Sequence, residues 1–196
     1  MSDTTLPPLD PTTSALILID LQKGITTFPT KPLTAQEIIT NAQKLVKVFH
    51  EKKSLVVLVH VTGSPDGKDM LHPTVDEPMM RGGDRPKDWA EFVPEVAPQE
   101  NDIVITKRQW GAFYGTELDL QLRRRGIRTI VIGGIATNMG VESTARDAFE
   151  RNYELIFVED AMGSMTAEDH TFAIKRIFPR IGRIRNAATI IQALGK

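Results

Sequence analysis

Asp20 and Lys107 each close a short apolar run, and residues 138–140, Asn138 to Gly140, open a helix after a third such run. A carboxyl group can give or take a proton, and an ammonium can hold negative charge. The first turn of a helix offers main-chain N–H groups and the positive end of a dipole to an anionic or polarised oxygen. Taken singly, each residue has an ordinary structural reading: an aspartate ending a strand is a cap or turn residue, and a lysine is a solvated surface group. Three such features at three strand ends point instead to a site where a proton is moved on a polarised substrate. The chain contains no cysteine, so thiol catalysis, disulfides and thiolate metal sites are excluded.

The elements that must carry these residues alternate short apolar runs with amphipathic segments, the pattern of crossover units on a parallel sheet. The runs are 15–20, 55–61, 103–106, 129–133, 154–158 and, more weakly, 181–185, all too short for helices. Thr34 and Glu37 have the spacing of a capping box and predict a helix whose inner face carries Ile38, Leu45, Val46 and Phe49. Thr116 opens a helix over 117–125 that Gly126 stops, which puts Arg123, Arg124 and Arg125 in a last turn where the helix dipole favours cations; this reading is preferred to a phosphate or nucleic-acid patch. Thr166 with Asp169 opens a further helix, and Asn186 caps the last one. Parallel sheets of this doubly wound kind bind ligands beyond the carboxyl ends of their strands, where strand order reverses, so residues distant in sequence converge there.

One segment breaks the alternation. Residues 62–99 hold six prolines and four glycines with no sustained period. A connection of that length inside a compact domain is usually a binding loop or lid, so it is expected to cover the substrate within a single domain spanning 1–196.

The 196 residues suit one domain with one substantial core, and charged residues, 25% of the chain, cancel to a net charge of −1. That balance gives no reason to expect nucleic acid or an anionic membrane as partner. No apolar run approaches the roughly 20 residues that span a bilayer, and residues 1–10 lack the layout of a signal peptide, so a cytoplasmic location is expected.

The segment from Gly133 to Ala148, G-G-I-A-T-N-M-G-V-E-S-T-A-R-D-A, resembles the signature of the isochorismatase-like, or cysteine hydrolase, superfamily. The segments A-L-I-L-I-D-L-Q-K-G from Ala15 and K-R-Q-W-G-A-F-Y-G-T-E-L-D-L-Q-L-R-R-R-G from Lys107 are similar to its opening strand and its lysine segment. Residues 160–167 and 177–179 read like its later half, which leaves 62–99 as the unplaced part. The resemblance implies a three-layer α/β/α sandwich around a six-stranded, Rossmann-like parallel sheet, a hydrolase acting on a small molecule, and assembly as a dimer or tetramer.

In the family's cysteine members the residue matching Asp20 takes the thiol proton, the residue matching Lys107 supports the charged pair, and main-chain N–H groups hold the oxyanion. Here the resemblance assigns those donors to Ala136 and Gly140, with a non-proline cis bond between Ile135 and Ala136 and with Thr137 beside them. Gly140 stands where the nucleophilic cysteine is expected, and glycine attacks nothing. Isochorismatases of the superfamily also have a non-nucleophilic residue there and hydrolyse a vinyl ether. By that precedent Asp20, its pKa raised by burial, protonates the methylene carbon of an enolpyruvyl group. Lys107 is then assigned to the substrate's carboxylate and to charge stabilisation. Trp89, Trp110 and Phe113 are candidate walls of the pocket, and Arg81 and Arg85 candidate carboxylate clamps. His60 and His72 lack the Asp-x-His spacing of nicotinamidase relatives, so no catalytic metal is expected, nor any cofactor. Two readings stay open beside vinyl-ether hydrolysis: a catalytically silent small-molecule-binding or regulatory protein, and an amide or ester hydrolase in which Asp20 activates water. Fold alone does not choose among them.

Overall fold

A computed structural model describes residues 5–77 and 86–195. Six strands form one all-parallel sheet: β1 (Ser14–Ile19), β2 (Leu55–Val61), β3 (Ile103–Lys107), β4 (Thr129–Ile135), β5 (Glu154–Gly163) and β6 (Arg183–Arg185). Their order across the sheet is β3-β2-β1-β4-β5-β6, so the direction of winding reverses between β1 and β4. Alternate side chains of β1 serve opposite faces of the sheet, as period-two geometry requires. Leu16 and Leu18 pack on one side with the inner faces of two helices, and Ala15, Ile17 and Ile19 on the other with those of two more.

The helices are α1 (Lys23–Thr26), α2 (Ala35–Glu51), α3 (Leu118–Arg124), α4 (Glu142–Glu150), α5 (Ala167–Phe172) and α6 (Ala187–Gly195). The expected inner face of α2, with Ile38, Leu45, Val46 and Phe49, is buried beside α6. Helices α3 and α4 and the π turn Ala173–Ile177 that continues α5 cover the opposite face. Among the described residues no helix is long and apolar enough to cross a membrane.

The opening of α2 is closed reciprocally. Thr34 Oγ1 accepts from the Glu37 amide, and Glu37 Oε2 accepts from the Thr34 amide at 2.8 Å. Removing the hydroxyl leaves an N-terminal amide without its acceptor. Thr34→Ala is therefore expected to cost about 1 kcal/mol of unfolding free energy, measured by urea titration. An unchanged midpoint would show that solvent replaces the cap.

Three strands run longer than their apolar runs. β3 takes in Lys107, β4 continues past Gly133 to Ile135, and β5 continues past Val158 to Gly163, with the β4–β5 register broken between Ile132 and Gly134. Gly134 adopts φ 123°, and a Cβ there would sit 2.1 Å from the Ile19 carbonyl oxygen. Glycine at this point lets the end of β4 lie against the end of β1.

Candidate functional site at the β1–β4 switch

Asp20 follows β1 directly and takes a left-handed conformation, φ 53°, which aspartate tolerates better than most side chains. Its amide still bonds to the Val59 carbonyl at 2.8 Å, so the chain leaves the sheet only at this residue. Lys107 ends β3, two strands away, and its side chain reaches past β2, a span of roughly 10 Å between strand axes. Its Nζ donates to Asp20 Oδ2 at 2.7 Å and to the Gln109 carbonyl at 3.1 Å. Both side chains are buried, Lys107 at 2% exposure.

After β4, the peptide between Ile135 and Ala136 is cis, and Thr137–Val141 form a wide π turn that leads into α4. The Ala136 carbonyl accepts from both Met139 and Val141 amides at 3.2 Å. Such widened turns recur at functional sites. Gly140 lies in this turn. A Cβ on it would be 3.4 Å from Asp20 Oδ2, 3.5 Å from the Trp110 carbonyl oxygen and 2.8 Å from Ile19 Cγ2. Strand end, lysine and helix opening thus meet within van der Waals reach. Thr144 secures the turn: its hydroxyl donates to the Gly140 carbonyl at 2.6 Å and accepts from the Ala112 amide at 3.1 Å.

Burial pushes the Asp20 carboxyl up to about 6, against the opposing pull of the Lys107 ammonium and, more weakly, of His60. Its Oδ1 is buried and has no hydrogen-bond partner among the described residues. A carboxyl group with one oxygen on an ammonium and the other unengaged holds its transferable proton on the unengaged oxygen.

Of the expected site residues, the structure brings together Asp20, Lys107, Gly140, Ala136 and the main chain of Trp110. Lys107 faces Asp20 and Gln109 here. Trp89 lies on the turn after Asp20: its indole covers the backbone of Gly24, where a Cβ would fall 2.0 Å from the ring, and its carbonyl accepts from the Gly24 amide at 2.9 Å. Phe113 is placed in the core, against Tyr153 and with Arg151 over its ring. The hydrophobic effect accounts for its burial there. Thr137 is fully buried, with its hydroxyl 2.9 Å from His170 Nδ1. Arg81 and Arg85 lie outside the described residues. His60 bonds to the Ala90 carbonyl and the Thr106 hydroxyl and stacks on Phe92, and His72 bonds to the Gly67 carbonyl.

Several buried polar side chains support the site. His170, on α5, is buried against the helix opening, and burial lowers its pKa. Its spacing to Ala173 and Ile174, both buried, marks the inner face of that segment. Gln22 is fully buried: its amide accepts from the Val61 N–H at 2.9 Å and donates to the carbonyls of Val61 and Trp89 at 3.2 Å. The flanks of the 62–99 segment are fastened beside the site. Lys23 pairs with Asp88 and Glu91, and Arg108 with Asp69 and the Thr62 carbonyl.

Residues 14–189 match the profile described as the Isochorismatase domain. The chain belongs to the isochorismatase family. Within this family of hydrolases it is 50% identical over 180 residues to the isochorismatase family protein YwoC of Bacillus subtilis (strain 168), covering 91% of this chain and 93% of that protein. It is 46% identical over 186 residues to the family protein YecD of Escherichia coli O157:H7, covering 95% and 98%. Among solved structures, an isochorismatase family protein from Burkholderia thailandensis superposes with TM-score 0.92 at 43% identity over 98% of this chain and 100% of that one. A cysteine hydrolase from Pseudomonas syringae pv. phaseolicola superposes with TM-score 0.81 at 26% identity over 100% and 99%. The chain therefore has the isochorismatase fold, and it has no cysteine at any position.

Proposed function

We propose that this protein hydrolyses the vinyl ether of isochorismate, or of a similar small enolpyruvyl carboxylate, by acid catalysis from Asp20. The observation that carries the reading is a carboxyl group held near pKa 6 by burial, one oxygen on Lys107 and the other unengaged, beside a glycine where a nucleophile would stand. The proton on Asp20 Oδ1 passes to the methylene carbon, and the ether carbon becomes an oxocarbenium ion. Water adds to that carbon and loses a proton, which restores the acid. The hemiketal then collapses: the bond between its central carbon and the ether oxygen breaks, the hydroxyl proton passes to that oxygen, and pyruvate and the ring alcohol result. Lys107, already against Asp20 Oδ2, stabilises the carboxylate left by the first step, and Ala136 and Gly140 at the helix opening take the substrate's polarised oxygen. Trp89 and the Trp110 backbone border the substrate, with Arg81 and Arg85 as candidate clamps for its carboxylate.

Pyruvate release, coupled to lactate dehydrogenase at millimolar isochorismate, tests the substrate. The pH profile tests the chemistry. An acid whose pKa is about 6 is depleted about tenfold for each pH unit above it, so kcat/KM is expected to fall on that side. The second reading, Asp20 as a base that activates water on an amide or ester, is favoured by the Gly140 to Asp20 proximity and by the company the chain keeps. It is 41% identical over 105 residues, 53% of this chain and 41% of that protein, to the ureidoacrylate amidohydrolase RutB of Methylobacterium radiotolerans. That reading expects the profile to rise through about 6 with small amides and carbamates. No turnover of either class would leave a silent binding protein.

A further inference from the structure

The turn Thr137–Val141 is wider than an α-helical turn, a form that is rare unless its surroundings impose it. Its own bonds are long, since the Ala136 carbonyl accepts from the Met139 and Val141 amides at 3.2 Å each. Side chains hold it instead. At its end the Thr144 hydroxyl takes the Gly140 carbonyl. At its start two consecutive residues are held by the segment that leaves β5: Asn138 by the fully buried Ser164, and Thr137 by His170.

The second of these contacts is the more enclosed. Thr137 and His170 are both buried, and the Thr137 hydroxyl has no other partner among the described residues. Burial lowers the His170 pKa, which favours the neutral ring. With the ring proton on Nε2, Nδ1 accepts from the hydroxyl and fixes the direction of the Thr137 side chain. Thr137 is joined to Ala136 and lies three residues before Gly140. Those two residues supply the N–H groups that take the substrate's oxygen in the proposed reaction.

We propose that His170 is a positioning residue for hydrolysis: through Thr137 it holds the helix opening so that the Ala136 and Gly140 N–H groups converge on one oxygen. This rests on the reading of that opening as the oxygen's holder, for a vinyl ether and an amide alike. Donors displaced by about 1 Å cost about a hundredfold in rate.

A buried pair that served packing alone could be replaced by two apolar side chains of similar shape at little cost. That contrast supplies the test. Thr137→Val and His170→Leu each leave one buried polar atom unpaired, so each should lower the urea midpoint. In pyruvate release from isochorismate, each should also lower kcat about tenfold or more, with KM within about threefold of wild type. The double variant should recover the midpoint but not kcat. Thr137→Ser and His170→Asn, which keep the hydroxyl and an acceptor near the place of Nδ1, should retain both. Hydrogen exchange of the Met139 and Val141 amides, followed by NMR, should quicken about tenfold in the double variant while that of α6 stays unchanged. A double variant with wild-type kcat overturns the proposal, and so does unchanged exchange in the turn. Should wild type release no pyruvate, the vinyl-ether reading fails by itself, and the exchange measurement still decides whether His170 holds the turn.

Discussion

Asp20→Asn is expected to lower kcat/KM at its optimum by about a hundredfold to ten-thousandfold, the range that a positioned acid or base contributes. The amide keeps the shape of the carboxyl group and an oxygen for the Lys107 ammonium, but has no transferable proton. The same variant should change how stability depends on pH. The Asp20 pKa lies near 6 in the folded protein against 3.8 for the ordinary group, so the folded state holds the proton more tightly than the unfolded state. That contribution is fully present below about 3.8 and is lost as pH rises through about 6. Wild type should therefore lose roughly 2 kcal/mol relative to Asp20→Asn between pH 4 and a little above pH 6. Urea unfolding of both proteins at the two pH values measures it. Parallel stabilities across that window would show that burial does not hold the proton on Asp20, and the acid mechanism would fail with it.

Gly140→Cys should create a reactive thiol at some cost in stability. The backbone there is helical, so a side chain meets no conformational bar; the bar is Ile19, whose fully buried Cγ2 lies 2.8 Å from the new Cβ. Overpacking of this kind costs about 1–3 kcal/mol. The cost should be smaller in an Ile19→Ala background, which a double-mutant cycle reads directly. The thiol would stand at a helix opening, with Asp20 Oδ2 about a contact distance from its Cβ and Lys107 behind it. Its pKa is expected below the free value of about 8.5, and its alkylation by iodoacetamide at pH 7 faster than that of free cysteine. A folded variant whose thiol titrates at or above that value would mean that the pocket does not favour a thiolate, and the silent binding protein would become the better reading.

Much of the fold was legible because it rests on local pattern. The run 55–61 matches β2 at both ends, and the Thr34 and Glu37 spacing gave the start of α2 because a capping box is closed within four residues. Strand ends at close approaches were not legible. The run ends at Gly133 in sequence, yet β4 continues through Gly134 to Ile135, because the neighbouring strands leave no room for a Cβ, Ala161 of β5 at Gly133 and Ile19 of β1 at Gly134. β6 begins at Arg183 and not at 181, since Ile181 still bonds to Phe178 in a tight turn and Gly182 packs on Leu155. Within the site, Asp20, Lys107 and Gly140 could be named because all three follow strand ends, and topology brings strand ends together. The embedding of Phe113 and the bond between Thr137 and His170 depend on which helices press on which face. One sequence carries no signal for that beyond helical spacing.

Gln22 shows what the turn at Asp20 requires of its surroundings. The main chain of β1 leaves the sheet at Asp20, yet both polar groups of Val61 remain paired, because the Gln22 amide takes up the N–H and the carbonyl that another residue of β1 would have met. The strand is in effect continued by a side chain. The sheet edge stays sealed while the backbone departs, so the carboxyl group can turn out of the strand without a seam along which water could follow it inward.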